Sequence, residues 1–384
     1  MLDNDMIEFL TYRNAMKSNY RKGVHALRCI LNNRKQAETF AGSLGGVSLV
    51  LGVSQPDGNS EALRALLEGS AVIDQATLTW LKNWWPEQCG SWDTLAADRG
   101  RCNTIATDPF LWERVGVSPV GAGKILAGLV GQDSRNFAAM QAVASSATAM
   151  QAVAVSPVAI AAIYRSDVAL SAVDSEVSAA ATFYGADSVA MGKAVVILAG
   201  LDPAGYADMS AVAASATAMS AVAANYVALV ALYSNAEALS IAQGTTVGAA
   251  ALAGAGSVAT GKAAVKLAGL DPDDFADMAA VAASSTAMAA VAASATALDA
   301  LYAKKKRMSG GSASLSGKFI ILEISGDNAF QIGQYGYATL SDGSQPNWDN
   351  YKNKYAYFKQ FKKYATYMRN DTDGNDWIDY FQVN

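Results

Sequence analysis

Apolar positions recur at ten-residue steps through the middle of the chain: Met140, Met150, Ile160 and Leu170, then Met209, Met219, Leu229 and Leu239, then Met278, Met288 and Leu298. The underlying decapeptide is close to M-x-A-V-A-A-S-x-T-A. A continuous α-helix has about 3.6 residues per turn, whereas a ten-residue stripe on one face would need about 3.33. The pattern therefore predicts a helix that is repeatedly interrupted. Ala, Met and Leu are good helix formers, while Ser and Thr compete for backbone hydrogen bonds and favour N-caps. Ser146, Ser215, Ser284 and Ser294 are accordingly expected to open new helices. Each decapeptide reads as about two helical turns ended by a corner, with Met or Leu and the Val three positions on facing inward. Helices this short need to stack on neighbours or on a partner chain.

A longer period encloses the shorter one. Met140, Met209 and Met278 are 69 residues apart, as are Lys124, Lys193 and Lys262. This defines a repeat region over 116–303, with copies at 116–184, 185–253 and a truncated 254–303. The run from Gly256 to Lys262 fits G-x4-G-K, but Ala263 stands where magnesium coordination requires Ser or Thr. The first glycine is replaced by Ser118 and Asp187 in the sister copies, which argues against a nucleotide site. Gly123, Gly192 and Gly261 are instead expected at corners ahead of short apolar helices that stop at segments such as LAGL-D-P.

The flanks differ from the repeats. Residues 1–115 read as a helical N-terminal domain: Asp3 and Asp5 precede IEFLTYRNAM, Ser60 caps EALRALLEG, and Asp74 precedes QATLTWLKNWW. The tryptophans here suit a small core, or an anchor interface drawn from Trp80, Trp84, Trp85 and Trp92, because Trp is enriched where proteins dock. Residues 304–316, KKKRMSGGSASLS, read as a flexible basic Gly/Ser linker. Residues 317–384 alternate like strands and predict a small antiparallel β domain, with KYAYFKQF among the strands and Asp373-Gly374 as a hairpin turn. Between Ser309 and Asn384 lie 15 aromatics, and an exposed set of Tyr335, Tyr337, Trp348, Tyr351, Tyr355 and Trp377 would suit a sugar or protein receptor. Calcium at Asp371, Asp373 and Asp376 is disfavoured, since Arg369 occupies the first ligand position and no Glu closes the loop.

Composition narrows the chemistry. The chain is 52% apolar and 16% charged, with net charge −5, one histidine and three cysteines. That balance disfavours nucleic acid as a partner and the common zinc sets, so no metal and no cofactor are expected. The segments Phe137 to Tyr164 and Met209 to Ala236 lack charge and are long enough to span a bilayer, but their Ala, Ser and Thr content and lack of basic flanks argue against membrane insertion. The N-terminus carries acids before its bases and no signal-peptide core, and the cysteines are expected to be reduced thiols.

The decapeptides, as in DMAAVAASSTAMAAVAASATAL, resemble the repeats of tailed-bacteriophage tail-fibre and related virion proteins. There they commonly precede a C-terminal β domain opening with a segment similar to SGKFIILEIS. The resemblance covers about Gly116 to Ile324 and implies a non-enzymatic virion appendage, commonly a homotrimer, made in the host cytoplasm. The resulting expectation is an α+β multidomain chain. Its N-terminus would bind other virion proteins and its C-terminal domain a host surface glycan or outer-membrane protein. A head, neck or baseplate decoration fibre without a receptor role is one alternative. A glycan-degrading tail enzyme using Glu323, Asp349 or Asp376 is another.

Overall fold

The computed structural model describes residues 71–311, 313–325, 336–346, 354–370 and 377–383. The chain is mostly helical, with a small antiparallel sheet in its C-terminal region, and divides into two compact units at Ala190/Met191. The first unit contains α1 (Ala71–Leu81), α2 (Trp92–Ala96), α3 (Arg99–Thr107), α4 (Pro109–Val115), α5 (Pro119–Leu129), α6 (Met140–Ala144), α7 (Ala147–Ala154), α8 (Pro157–Tyr164), α9 (Asp167–Asp174) and α10 (Val177–Tyr184). Helix α11 (Ser188–Leu198) crosses the division. The second unit continues with α12 (Met209–Ala214), α13 (Ala216–Ala224), α14 (Tyr226–Ser234), α15 (Ala236–Gln243), α16 (Thr246–Gly254), α17 (Ser257–Leu267), α18 (Met278–Ala283), α19 (Ser285–Ala293) and α20 (Ala295–Tyr302). It closes with β1 (Lys306–Ser309), β2 (Ala313–Ser325), β3 (Gly336–Leu340), α21 (Ala356–Phe361), β4 (Ala365–Asn370) and β5 (Trp377–Gln382).

The interruptions fall where the hydroxyl side chains stand. Ser146, Ser215, Ser284 and Ser294 each accept a hydrogen bond from the backbone N–H three residues on, satisfying one of the free donors at a helix start. The chain turns 101° between α7 and α8 and 103° between α13 and α14. Among the described residues no single helix is long and apolar enough to cross a membrane, because the uncharged runs are divided by these corners. Met150 and Val153, Met219 and Val222, and Met288 and Val291 are all buried, as the three-residue spacing requires. In the first unit α6 packs on α9 and α7 on α10; in the second α12 packs on α15, α13 on α16 and α14 on α17. Each of these helices thus meets the third one after it.

Two glycine positions in the repeat have different causes. Gly131, Gly200 and Gly269 adopt φ of 77°, 79° and 78°, and close α5, α11 and α17 in a left-handed cap. The following residues, Gln132, Leu201 and Leu270, donate back to Ala127, Val196 and Val265. Gly123, Gly192 and Gly261, expected at corners, lie inside those same helices. A Cβ on any of them would stand 2.4 Å from the backbone nitrogen of Met140, Met209 or Met278 respectively. These glycines let the start of the next helix press directly on the helix backbone, a tertiary requirement that local turn chemistry does not reveal. The adjoining lysines are fixtures of the packing: Lys124 reaches Asp93 at 2.7 Å and the Ser134 carbonyl at 3.0 Å, and Lys262 reaches Asp273 at 3.0 Å.

The sheet order is β1-β5-β2-β4-β3, with every neighbouring pair antiparallel. Three expectations for this region are corrected. Strands β4 and β5 flank β2 and do not pair with each other, so the hairpin expected between them does not form; its turn, Asp373-Gly374, lies outside the described residues. The KYAYFKQF run contains helix α21, because Tyr357 and Phe361 lie four apart on one helical face and stack at 4.8 Å. The flexible linker expected over 304–316 is largely paired strand: β1 lies beside β5, and β2 begins at Ala313.

Candidate binding surfaces around the sheet junction

The sheet is packed on both faces. On one, Ile320, Leu322, Phe381 and Val383 join Met288, Leu298 and Leu301 of the last repeat helices in a single core. On the other, Phe319, Ile321, Met368 and Ile378 pack with Met308 and Tyr357. The basic run 304–307 binds the two parts of this unit together. Lys304 donates to the Ala255 carbonyl and to Thr260. Lys305 bonds Asp379 at 2.5 Å, and Arg307 grips the same carboxylate through Nε at 2.7 Å and Nη2 at 2.9 Å. Asp379 is fully buried. Burial alone would push its carboxyl up, but the bonds from Arg307 and Lys305 outweigh that and hold it below the usual aspartate range.

Of the residues expected to form a receptor face, Tyr337, Tyr355 and Trp377 are described, and they stand in different surroundings. Tyr355 is only 7% exposed. Its hydroxyl donates to Asp299 at 2.5 Å, its N–H donates to Leu322, and its ring meets Tyr302 edge-on at 5.7 Å. It fastens the sheet to the last repeat helix and is unavailable to a ligand. Trp377 is half-buried and carries the Arg307 guanidinium 3.6 Å from its ring centre, a stacking that occupies one face. Glu323, the described member of the suspected carboxylates, accepts from Tyr302 at 2.7 Å. Tyr335, Trp348, Tyr351, Asp349 and Asp376 lie outside the described residues, as do Asp371 and Asp373.

Tyr337 is half-buried on edge strand β3, with its ring 5.6 Å from that of Tyr367 on β4. Thr339 and Arg369 complete the register of this strip, and Ser314 and Ser316 of β2 are exposed opposite Arg369 and Tyr367. Tyr367 was not singled out by the sequence; its place beside Tyr337 depends on the strand register, which no turn signal fixes here.

In the first unit the tryptophans divide between core and surface. Trp80 and Trp92 are buried, the core alternative for these two, and Trp112 donates from its indole N–H to the Ala162 carbonyl at 2.8 Å. Trp84 is 43% exposed and Phe110 49% exposed. Their rings lie 6.3 Å apart, and the Arg114 guanidinium sits 3.9 Å from the Phe110 ring centre. Trp85 is half-buried. Cys89 and Cys102 are buried free thiols, which burial pushes up to about 11 and about 12, so both stay protonated near neutrality. Among the described residues no group of His, Cys, Asp or Glu is arranged to hold a metal ion.

In comparisons with known proteins, the chain matches no family model and no curated protein.

Proposed function

We propose that the chain is a non-enzymatic structural protein of a bacteriophage particle, an appendage whose repeat shaft carries a C-terminal domain toward the host. The supporting observation is that backbone devices recur at the 69-residue step: the 2.4 Å approaches at Gly123, Gly192 and Gly261 and the left-handed caps at Gly131, Gly200 and Gly269. Repetition of a frame, with side chains on its inner positions kept mostly apolar, suits a spacer. The resemblance of the decapeptides to tail-fibre repeats supplies the particle. On this reading the exposed Trp84 and Phe110 pair belongs to the particle-binding end, and the strip around Tyr337 to the host-facing end. Thin Ala-rich helices bury little area each, which favours a homo-oligomer, and the resemblance favours a trimer.

The fused sheet modifies the mode of host binding. A domain joined through a shared core and a buried ion pair presents its surface at a fixed attitude, so reach comes from the whole appendage and not from a swinging tip. Labelling purified particles with antibodies against the C-terminal domain tests the reading. Label at the distal end of a fibre, with block of adsorption, is expected; absence of the protein from particles would overturn it.

A further inference from the structure

The C-terminal region reverses the charge of the rest of the chain. Residues from Lys304 onward carry 11 Lys and Arg against 8 Asp and Glu, although the whole chain has net charge −5. Part of that excess is spent inside the fold, where Lys305 and Arg307 share Asp379. Four of the others stand on α21, just after it, and on the neighbouring β2: Lys359, Lys362, Lys363 and Lys318, all exposed. Lys363 reaches Asp342 at 2.5 Å; Lys318, Lys359 and Lys362 have no ion-pair partner among the described residues.

Two backbone irregularities place these side chains. The β2–β4 register shifts between Ser316 and Phe319, so Gly317 (φ 150°) and Lys318 bulge opposite Thr366. A bulge of this kind re-aims a side chain that a regular strand would send elsewhere. Lys318 Nζ lies 5.7 Å from the ring of the half-buried Tyr364. Lys362 takes a left-handed conformation, φ 54° and ψ 31°, where Gly or Asn would be less strained. Strain of this sort persists where surrounding structure enforces it and clusters at binding sites.

We propose that this surface, Lys318, Lys359, Lys362 and Lys363 around Tyr364, binds a polysaccharide bearing carboxylates, that is, a polyuronate. This inference rests on the reading that the C-terminal domain faces a host surface. The chemistry fits at each point. Lysine ammonium groups are separate point charges, suited to singly charged groups spaced along a chain, and the surface has no Arg fork of the kind that grips a terminal phosphate dianion. Tyr364 is half-buried against the repeat-side core, and the exposed Ser316 and Thr366 on adjacent strands add hydroxyls to this surface, Thr366 Oγ1 donating to the Thr339 carbonyl at 3.1 Å.

Binding of the full-length protein to immobilised polygalacturonate, neutral dextran, polyglycerol phosphate and duplex DNA tests it. Polygalacturonate should bind at low salt, weaken as salt rises, and bind more tightly than the other three. The pair Lys318→Gln and Lys359→Gln should weaken it roughly tenfold with an unchanged melting curve. Lys362→Gly keeps the backbone turn and should weaken binding on its own, which separates loss of charge from loss of fold. No binding to polygalacturonate, equal binding to dextran, a preference for the phosphate polymer or DNA, or indifference to these substitutions would each overturn the proposal. If polygalacturonate fails while antibodies to this domain still block adsorption, the inference falls and the host-facing role stands.

Discussion

Arg307 and Asp379 face each other across adjacent strands, register partners on β1 and β5, and close two hydrogen bonds of 2.7 and 2.9 Å around a carboxylate with no exposed surface. Lys305 adds a third contact at 2.5 Å. One acid 72 and 74 residues away from its partners thereby holds a basic segment that by composition alone would be a solvated linker.

Replacing Asp379 by Ala leaves two cations beside a buried gap. Breaking a buried pair costs about 3–5 kcal/mol. Arg307 and Lys305 keep 46% and 32% side-chain exposure and can rehydrate, so the expected loss sits near the lower end, about 3 kcal/mol. Denaturant unfolding of the two proteins side by side measures it.

The same pair sets a pH dependence. The folded Asp379 carboxyl titrates below the value of about 3.9 for an unfolded aspartate. Its contribution is therefore complete above that value and is lost as pH falls through the lower folded one. Thermal melts between neutrality and pH about 2 should show an acid-sensitive transition that Asp379→Asn blunts.

Gly192→Ala should be far more damaging than Gly200→Ala. At Gly192 the new Cβ would meet Met209 N at 2.4 Å, backbone that cannot step aside, so about 3 kcal/mol or more is expected. At Gly200 there is open space and only the φ of 79° is at issue, worth about 1 kcal/mol. Melting temperatures of the two variants decide the order.

Ser215→Ala removes one cap hydrogen bond and should cost about 1 kcal/mol. Ser294→Ala removes a cap and also the hydroxyl's 2.8 Å bond to the Leu267 carbonyl, so it should cost about twice as much. Asn225 makes the equivalent bond to Leu198 at 2.9 Å, which marks this link as a repeated tie and not an accident of one copy.

What could be read in advance followed from how local each cause is. Ser146, Ser215, Ser284 and Ser294 act within three residues of themselves, and the glycines of the two LAGL-D-P segments, Gly200 and Gly269, act within their own turn, so sequence spacing was enough to locate them. Gly123, Gly192 and Gly261 announced their importance by recurrence but not their role, because the backbone they admit arrives from the next helix. Tyr355 resembled its exposed neighbours in composition, yet Asp299 and Tyr302 on the last repeat helix draw it inward. The strands β4 and β5 looked like a hairpin because β2, which separates them, comes much earlier in the chain.

The central claim, that residues 304–307 fasten the C-terminal sheet to the last repeat, is tested most directly by trypsin under native conditions. Lys304, Lys305, Lys306 and Arg307 form four consecutive trypsin sites in the sequence. With Lys304 seated on Ala255, β1 paired to β5 and Arg307 clamped on Asp379, cleavage there should be slow and should accelerate in Asp379→Ala. Rapid cutting of the unmodified protein at these sites, releasing a folded fragment beginning at Met308, would contradict the account.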